Sequence, residues 1–126
     1  MNEEKNTTNV IDITYWAYVN KELKELKNVF EEIFEGLILN RDDEDTWEWL
    51  AGKSIPLGYE FNISRKHNWG QGLYHSELIV NIKSKHYINI DEIGSALKNI
   101  LSTTIYYGNK IYLKGTDYQF LVTKEW

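Results

Sequence analysis

Cysteine is absent from the 126 residues of this chain. Its absence excludes disulfide bonds, thiolate nucleophiles and cysteine-type zinc sites together. A chain of this length corresponds to one domain and buries roughly two thirds of its unfolded surface, so its core needs no covalent or metal support. We therefore expect one folded domain over residues 10–126, preceded by a disordered polar tail over residues 1–9.

Long apolar runs, a secretory leader and an excess of basic charge are also missing. No run approaches the ~18 apolar residues of a membrane span, and MNEEKNTTN lacks the basic and apolar regions of a signal peptide. We therefore expect a cytoplasmic protein without membrane contact. Lys and Arg number 14 against 19 Asp and Glu, for a net charge of -5. This balance argues against direct binding of nucleic acid.

Apolar residues at spacings of three and four predict two helices. The first runs from Lys21 to about Glu35, with Asn20 as its N-cap. The second follows Asn89, whose side chain suits an N-cap, and carries Asp91 and Glu92 in its first turn, where the helix dipole favours acidic residues.

Alternating apolar and polar residues predict the strands, which cover residues 10–19, 57–64, 73–83, 103–107, 110–114 and 118–125. Gly108-Asn109 predicts a two-residue hairpin turn, whereas residues 40–53 are predicted to form a polar segment with a helical turn at 46–50. The order is β-α-β-β-α-β-β with one further strand, and it indicates an α+β domain with both helices on one face of an antiparallel sheet. Its first six elements match the ferredoxin-like order.

The span from Glu31 to Leu50 is the most unusual part of the chain. It holds eight acidic residues and one basic residue, Arg41, so its formal charge is -7 in a protein of -5. Carboxylates attract a basic partner, and tryptophans provide buried anchor area in an interface. The candidate partner-binding residues are Asp42, Asp43, Glu44, Asp45, Trp47, Glu48 and Trp49. The alternative is a solvated loop whose indoles bury in the core of the same domain.

The segment RKHNWGQG, residues 65–72, is a second candidate, predicted to be the loop between two strands. It offers a contact patch of opposite charge or a catalytic histidine through Arg65, Lys66, His67 and Trp69. The alternative is an ordinary long turn with its indole folded onto the sheet.

His75 and Glu77 alternate onto one strand face, and His67 could approach them from the loop. Zinc binding needs three or four converging ligands, so two residues in this relation are a weak signal for a metal or for acid-base catalysis. We therefore predict no metal, no cofactor and no enzymatic activity.

A cysteine-free α+β domain with the acidic, tryptophan-bearing segment Asp42–Trp49 resembles the small acidic immunity proteins encoded beside bacterial polymorphic toxins, including those of contact-dependent growth inhibition. The resemblance implies an inhibitor that binds a cognate toxin domain, often a nuclease with a basic cleft. Phage-encoded inhibitors of bacterial defence systems fit the same description. The alternative from another class is a small enzyme or ligand-binding domain that uses His67, His75 and Glu77. The sequence favours neither a monomer nor a dimer.

Overall fold

The computed structural model describes residues 10–66, 77–114 and 118–126, except for the side chains of Lys110, Tyr112 and Tyr118. The tail predicted for residues 1–9 lies outside the described residues. The described elements are β1 (Ile11–Ala17), α1 (Leu23–Ile33), β2 (Leu37–Glu44), β3 (Trp47–Ser54), β4 (Tyr59–Lys66), β5 (Leu78–Ser84), α2 (Ile90–Leu101), β6 (Tyr106–Tyr112) and β7 (Tyr118–Glu125).

The strands form one antiparallel sheet in the order β2-β3-β4-β5-β1-β6-β7. The first strand of the chain is therefore inserted between β5 and β6, and β2 and β7 are the two edges. The predicted α+β class, the antiparallel sheet and the two helices are confirmed. The predicted element order is wrong, because the described residues contain seven strands, and the ferredoxin-like order is not the one observed.

The additional strands come from the acidic segment, which forms a hairpin instead of a polar segment with a helical turn. β2 and β3 pair from Leu37 opposite Ser54 to Glu44 opposite Trp47, so Asp45 and Thr46 form the turn. Asp45 has a φ of 55°, in the left-handed region that aspartate tolerates better than most residues. Acidic residues are poor strand formers in general, but an edge strand leaves their side chains in solvent.

Gly108 lies inside β6, so the hairpin turn predicted at Gly108-Asn109 is wrong. The pairing of β6 with β7 shifts register between Tyr107 and Gly108. A Cβ atom on Gly108 would lie 1.9 Å from the carbonyl oxygen of Leu121. This glycine therefore allows the backbones of β6 and β7 to approach closely at a strand irregularity. Such irregularities are a common reason for glycine inside a strand.

The two helices differ in how well their starts were predicted. α2 has Asn89 as its N-cap, as expected, and the Asn89 side chain accepts a hydrogen bond from the amide of Glu92 at 3.0 Å. α1 begins at Leu23 instead of Lys21, with Glu22 as its N-cap instead of Asn20. The amide of Glu22 donates to the Glu25 side chain at 3.0 Å, so one unpaired amide of the helix start is satisfied by a glutamate.

Both helices pack on the same face of the sheet and share one hydrophobic core. A row of buried residues crosses four strands of that face: Leu50, Ile63, Val80 and Tyr15 are cross-strand neighbours. The helices contribute Leu23, Leu26 and Phe30 from α1 and Ile93, Leu97 and Leu101 from α2. In the described residues, no helix covers the opposite face, which we call the open face.

Leu97 lies in the middle of the buried stripe of α2 and has no exposed surface. We expect Leu97→Ala to lower the free energy of unfolding by about 2–5 kcal/mol, because it leaves a cavity in the core. Urea unfolding measures this loss, and Lys98→Ala, at the next and exposed position, should change stability by less than about half a kcal/mol. Equal effects from the two variants would contradict the packing of this helix on the sheet.

Candidate functional site

The β2–β3 hairpin places two carboxylates and two indoles on the open face of the sheet. Asp42 is paired with Trp49, and Glu44 is paired with Trp47. Side chains of directly paired residues lie on the same face, and residues two apart on a strand share that face. Leu50 belongs to the buried core on the helix side, so its neighbour Trp49 faces away from the helices. The four residues therefore form one group at the edge of the sheet.

Three of these residues, Glu44, Trp47 and Trp49, border a shallow groove with a volume of about 420 Å³, and Asp42 lies next to it on the same face. The groove is lined by Glu44, Asp45, Thr46, Trp47, Trp49, Asn62 and Ser64. Asp42 and Glu44 are exposed, and the indoles of Trp47 and Trp49 are half-buried. Partly exposed indole faces beside carboxylates can hold a lysine or arginine side chain through cation–π and charge interactions together. The groove is therefore chemically suited to a basic side chain of a partner.

Asp43 and Glu48 are paired with each other and lie on the helix side of the same hairpin. Glu48 is only 5% exposed, and its carboxylate forms an ion pair and hydrogen bond with the guanidinium of Arg41. Arg41 also lies 3.3 Å from the carboxylate of Asp43, and its pKa is raised, chiefly by the hydrogen bond to Glu48. Asp43 and Glu48, both predicted to contact a partner, are thus paired with Arg41 of the same hairpin, on the face opposite to the indoles.

Arg65, predicted to belong to the second candidate loop, is instead a buried residue of β4. It is 1% exposed and lies opposite Glu48 in the sheet. Its Nη1 donates to the carbonyl oxygen of Lys21 and its Nη2 to that of Val19, each at 2.7 Å. Burial lowers the pKa of Arg65, and the charge of Glu48 opposes this shift. Arg65 therefore fastens β4 to the connection between β1 and α1.

The other residues of that candidate set are only partly described. Lys66 is exposed and lies opposite Trp47 on the open face. Glu77 is half-buried and directly precedes β5. His67, Trp69 and His75 lie outside the described residues.

Sequence patterns did not predict the role of Glu31, whose side chain binds a backbone amide on the outer edge of β2. A carboxylate oxygen of Glu31 accepts a hydrogen bond from the amide of Leu39 at 2.8 Å and another from Lys27 at 3.1 Å. The pKa of Glu31 is lowered, chiefly by the hydrogen bond from Leu39. No local signal links these residues, because the contact depends on the path of the edge strand past α1.

The far end of the sheet carries the opposite charge. A second cavity, of about 290 Å³, is lined there mainly by the ends of β3, β4 and β5. Its cationic lining residues are Lys53, Lys83 and Lys85, with His86 beside them and Glu60 as the one acidic residue. β3 joins the two regions, since it runs from Trp47 beside the acidic groove to Lys53 in this cavity. The sheet is therefore polarised along its strands.

Within the described part of the chain, no group of three or more histidine and acidic residues is placed to hold a metal ion. None of the described helices is both long and apolar enough to cross a membrane. Comparison of the chain with protein-family models, curated proteins and solved structures finds no match. The chemistry of the open face is therefore the best indication of function.

The hydrogen bond between the Leu39 amide and the Glu31 carboxylate should make the free energy of unfolding depend on pH. Glu31→Gln keeps an acceptor but removes the charge that strengthens the hydrogen bond, so we expect a loss of about 1 kcal/mol near neutral pH. Because the pKa of Glu31 is lowered in the folded state, its stabilisation is present above the unfolded pKa and disappears as pH falls through the folded pKa.

Urea unfolding from about pH 7 down to about pH 3 tests this, since that window spans the ordinary pKa of glutamate. The difference between the parent and Glu31→Gln should be largest at the upper end and should shrink towards the lower end. Glu32→Gln, at the exposed neighbouring position, is the matched control and should show no comparable pH-dependent difference. A difference for Glu31→Gln that stays constant over the whole range would contradict a role for its charge.

Proposed function

We propose that this chain is a protein-binding inhibitor, an immunity protein that neutralises a cognate bacterial toxin domain in the cytoplasm. The observation that supports it best is the shared placement of Asp42, Glu44, Trp47 and Trp49 on the open face of the sheet. In this proposal the open face of the hairpin docks on a basic surface of the toxin, such as the nucleic-acid cleft of a nuclease.

The two kinds of side chain have different tasks in such an interface. Exposed carboxylates accelerate the encounter with a basic surface, and salt screens this effect. Indoles that become fully buried contribute binding energy and slow dissociation. The half-buried state of Trp47 and Trp49 suits this task, because part of each ring is already fixed by the sheet and the rest is available for contact. Little side-chain entropy is then lost on binding.

The hairpin also prevents its own charges from neutralising the groove. Arg41 lies on the helix side with Asp43 and Glu48, so the strongly basic residue of the acidic span is engaged away from the open face. On the open face, Lys66 of β4 lies opposite Trp47 and brings one positive charge near the groove, against the three carboxylates of Asp42, Glu44 and Asp45. The negative charge that a partner meets is therefore concentrated beside the indoles.

Binding kinetics with the toxin domain encoded beside this gene, at low and high salt, test the proposal. The double variant Asp42→Asn, Glu44→Gln should associate more slowly than the parent at low salt, and its association rate should depend less on salt. Trp47→Ala or Trp49→Ala should mainly accelerate dissociation, with a loss of about 2 kcal/mol or more in binding free energy at a hot spot.

Two matched controls separate local contact from general charge or hydrophobicity. Glu60→Gln removes an exposed charge at the far end of the same sheet face, and Tyr87→Ala removes an exposed aromatic ring outside the sheet. Glu60→Gln should leave the association rate and its salt dependence close to those of the parent, and Tyr87→Ala should leave the dissociation rate unchanged. If the double acidic variant associates like the parent at both salt levels, the acidic groove is only a solvated surface and the proposal is wrong.

A further inference from the structure

The two edges of the sheet are protected to very different degrees. At the β2 edge, the Glu31 side chain occupies the amide of Leu39, and the acidic residues from Asp42 to Glu44 repel a second acidic strand. Charges and side-chain contacts of this kind normally prevent edge-to-edge association. At the other edge, β7 carries no charged residue between Tyr118 and Thr123.

The uncharged part of β7, from Tyr118 to Thr123, also exposes apolar side chains. Leu121 and Val122 are 50% and 45% exposed, and Ile111 on the adjoining strand β6 is 37% exposed. A strand with uncharged, exposed apolar side chains is a site for pairing with a further strand.

β6 and β7 extend beyond the main sheet as a two-stranded ribbon. β1 pairs with β6 only at Tyr106 and Tyr107, whereas β6 and β7 remain paired as far as Tyr112 and Tyr118. The ring of Phe120 stacks on Trp16 with a centroid distance of 4.1 Å, which holds this part of the ribbon against the open face of β1. Two-stranded ribbons are marginally stable alone. A third strand paired with β7 would therefore stabilise the ribbon by adding main-chain hydrogen bonds.

We propose that β7 pairs with β7 of a second copy of this chain, antiparallel about a two-fold axis. The register shift leaves Thr123 without a directly paired residue in β6, although its hydroxyl donates a hydrogen bond to the carbonyl oxygen of Tyr107 at 3.2 Å. The regular part of β7 is therefore Tyr118–Val122. This segment is uncharged, and its reversed copy can be paired with it without placing like charges opposite each other. The contact is isologous, so it closes at a dimer and does not propagate into a fibre.

The position of the acidic hairpin favours a second copy at this edge. Two chains of net charge -5 repel each other, most strongly through their acidic spans. β2 and β7 are the opposite edges of a seven-stranded sheet, about 29 Å apart at the usual strand spacing. Pairing through β7 therefore places the two acidic hairpins at the far ends of the dimer, beyond the ~8–10 Å range of unscreened repulsion.

The N-terminal segment of the same chain is a poor occupant for this edge. Residues 2–9 read NEEKNTTN, and none of them has an apolar side chain that could cover Leu121 or Val122. A second β7 strand offers the same apolar residues in reverse order. The inference does not rest on the proposed function, because it involves the edge opposite to the acidic groove.

Sedimentation velocity of the full chain, from low to high micromolar concentration, tests the proposal. The mass should rise from that of a monomer to that of a dimer, with no larger species. Leu121→Lys should remain monomeric at every concentration, because an edge lysine blocks strand pairing. Ile38→Lys is the matched control: Ile38 is 68% exposed on the opposite edge strand, so this variant should dimerise like the parent.

Urea unfolding of the dilute monomers should give similar midpoints for the two variants, which separates loss of pairing from loss of folding. Amide hydrogen exchange provides a second measurement, and amides of Tyr118–Val122 should become protected as the parent dimerises. A parent that is monomeric at all concentrations overturns the proposal. If such a monomer loses toxin binding on Leu121→Lys, the edge belongs to the toxin and not to a second copy.

Discussion

The register of the β2–β3 hairpin is the constraint on which the candidate site depends. In this register Trp47 and Trp49 face the open side, while Leu50 and Glu48 face the helices. A slip by one residue would exchange the two faces of β3, so the indoles would enter the core and Leu50 would meet solvent. Burial of Leu50 and the two-residue turn at Asp45-Thr46 both oppose such a slip.

Polar contacts fix the same register from both strands. Glu31 binds the amide of Leu39 on β2, and Arg41 of β2 binds Glu48 of β3 across the hairpin. Glu48 is a buried carboxylate, which is costly unless a cation is nearby. Arg41 supplies that cation, and Arg65, opposite Glu48 on β4, adds a second positive charge. The helix side of the hairpin is thus internally neutralised, and the open side keeps its negative charge.

Sequence patterns predicted the elements whose local signals agree with their tertiary environment. The alternation in β1 and β4, the apolar stripe of α2 and its Asn89 cap were all readable, and they led to the correct fold class. The β2–β3 hairpin was missed because acidic residues disfavour strands, and only an edge position makes them acceptable. Without the hairpin, Asp42 and Asp43 look equivalent; with it, they belong to opposite faces. Gly108 was misread because a turn and a strand irregularity both select glycine.

The open face has a polarity that gives docking a direction. Between the acidic groove and the lysine-rich cavity, the face is occupied by the small uncharged side chains of Ala51, Asn62 and Asn81, and the last of these donates to Asp12 at 2.6 Å. The two charged regions lie about 20 Å apart along β3, because Lys53 is six positions after Trp47 in this strand. A basic partner is attracted by one end of the face and repelled by the other. The field therefore orients the encounter so that the first contacts form at the groove, beside the half-buried indoles.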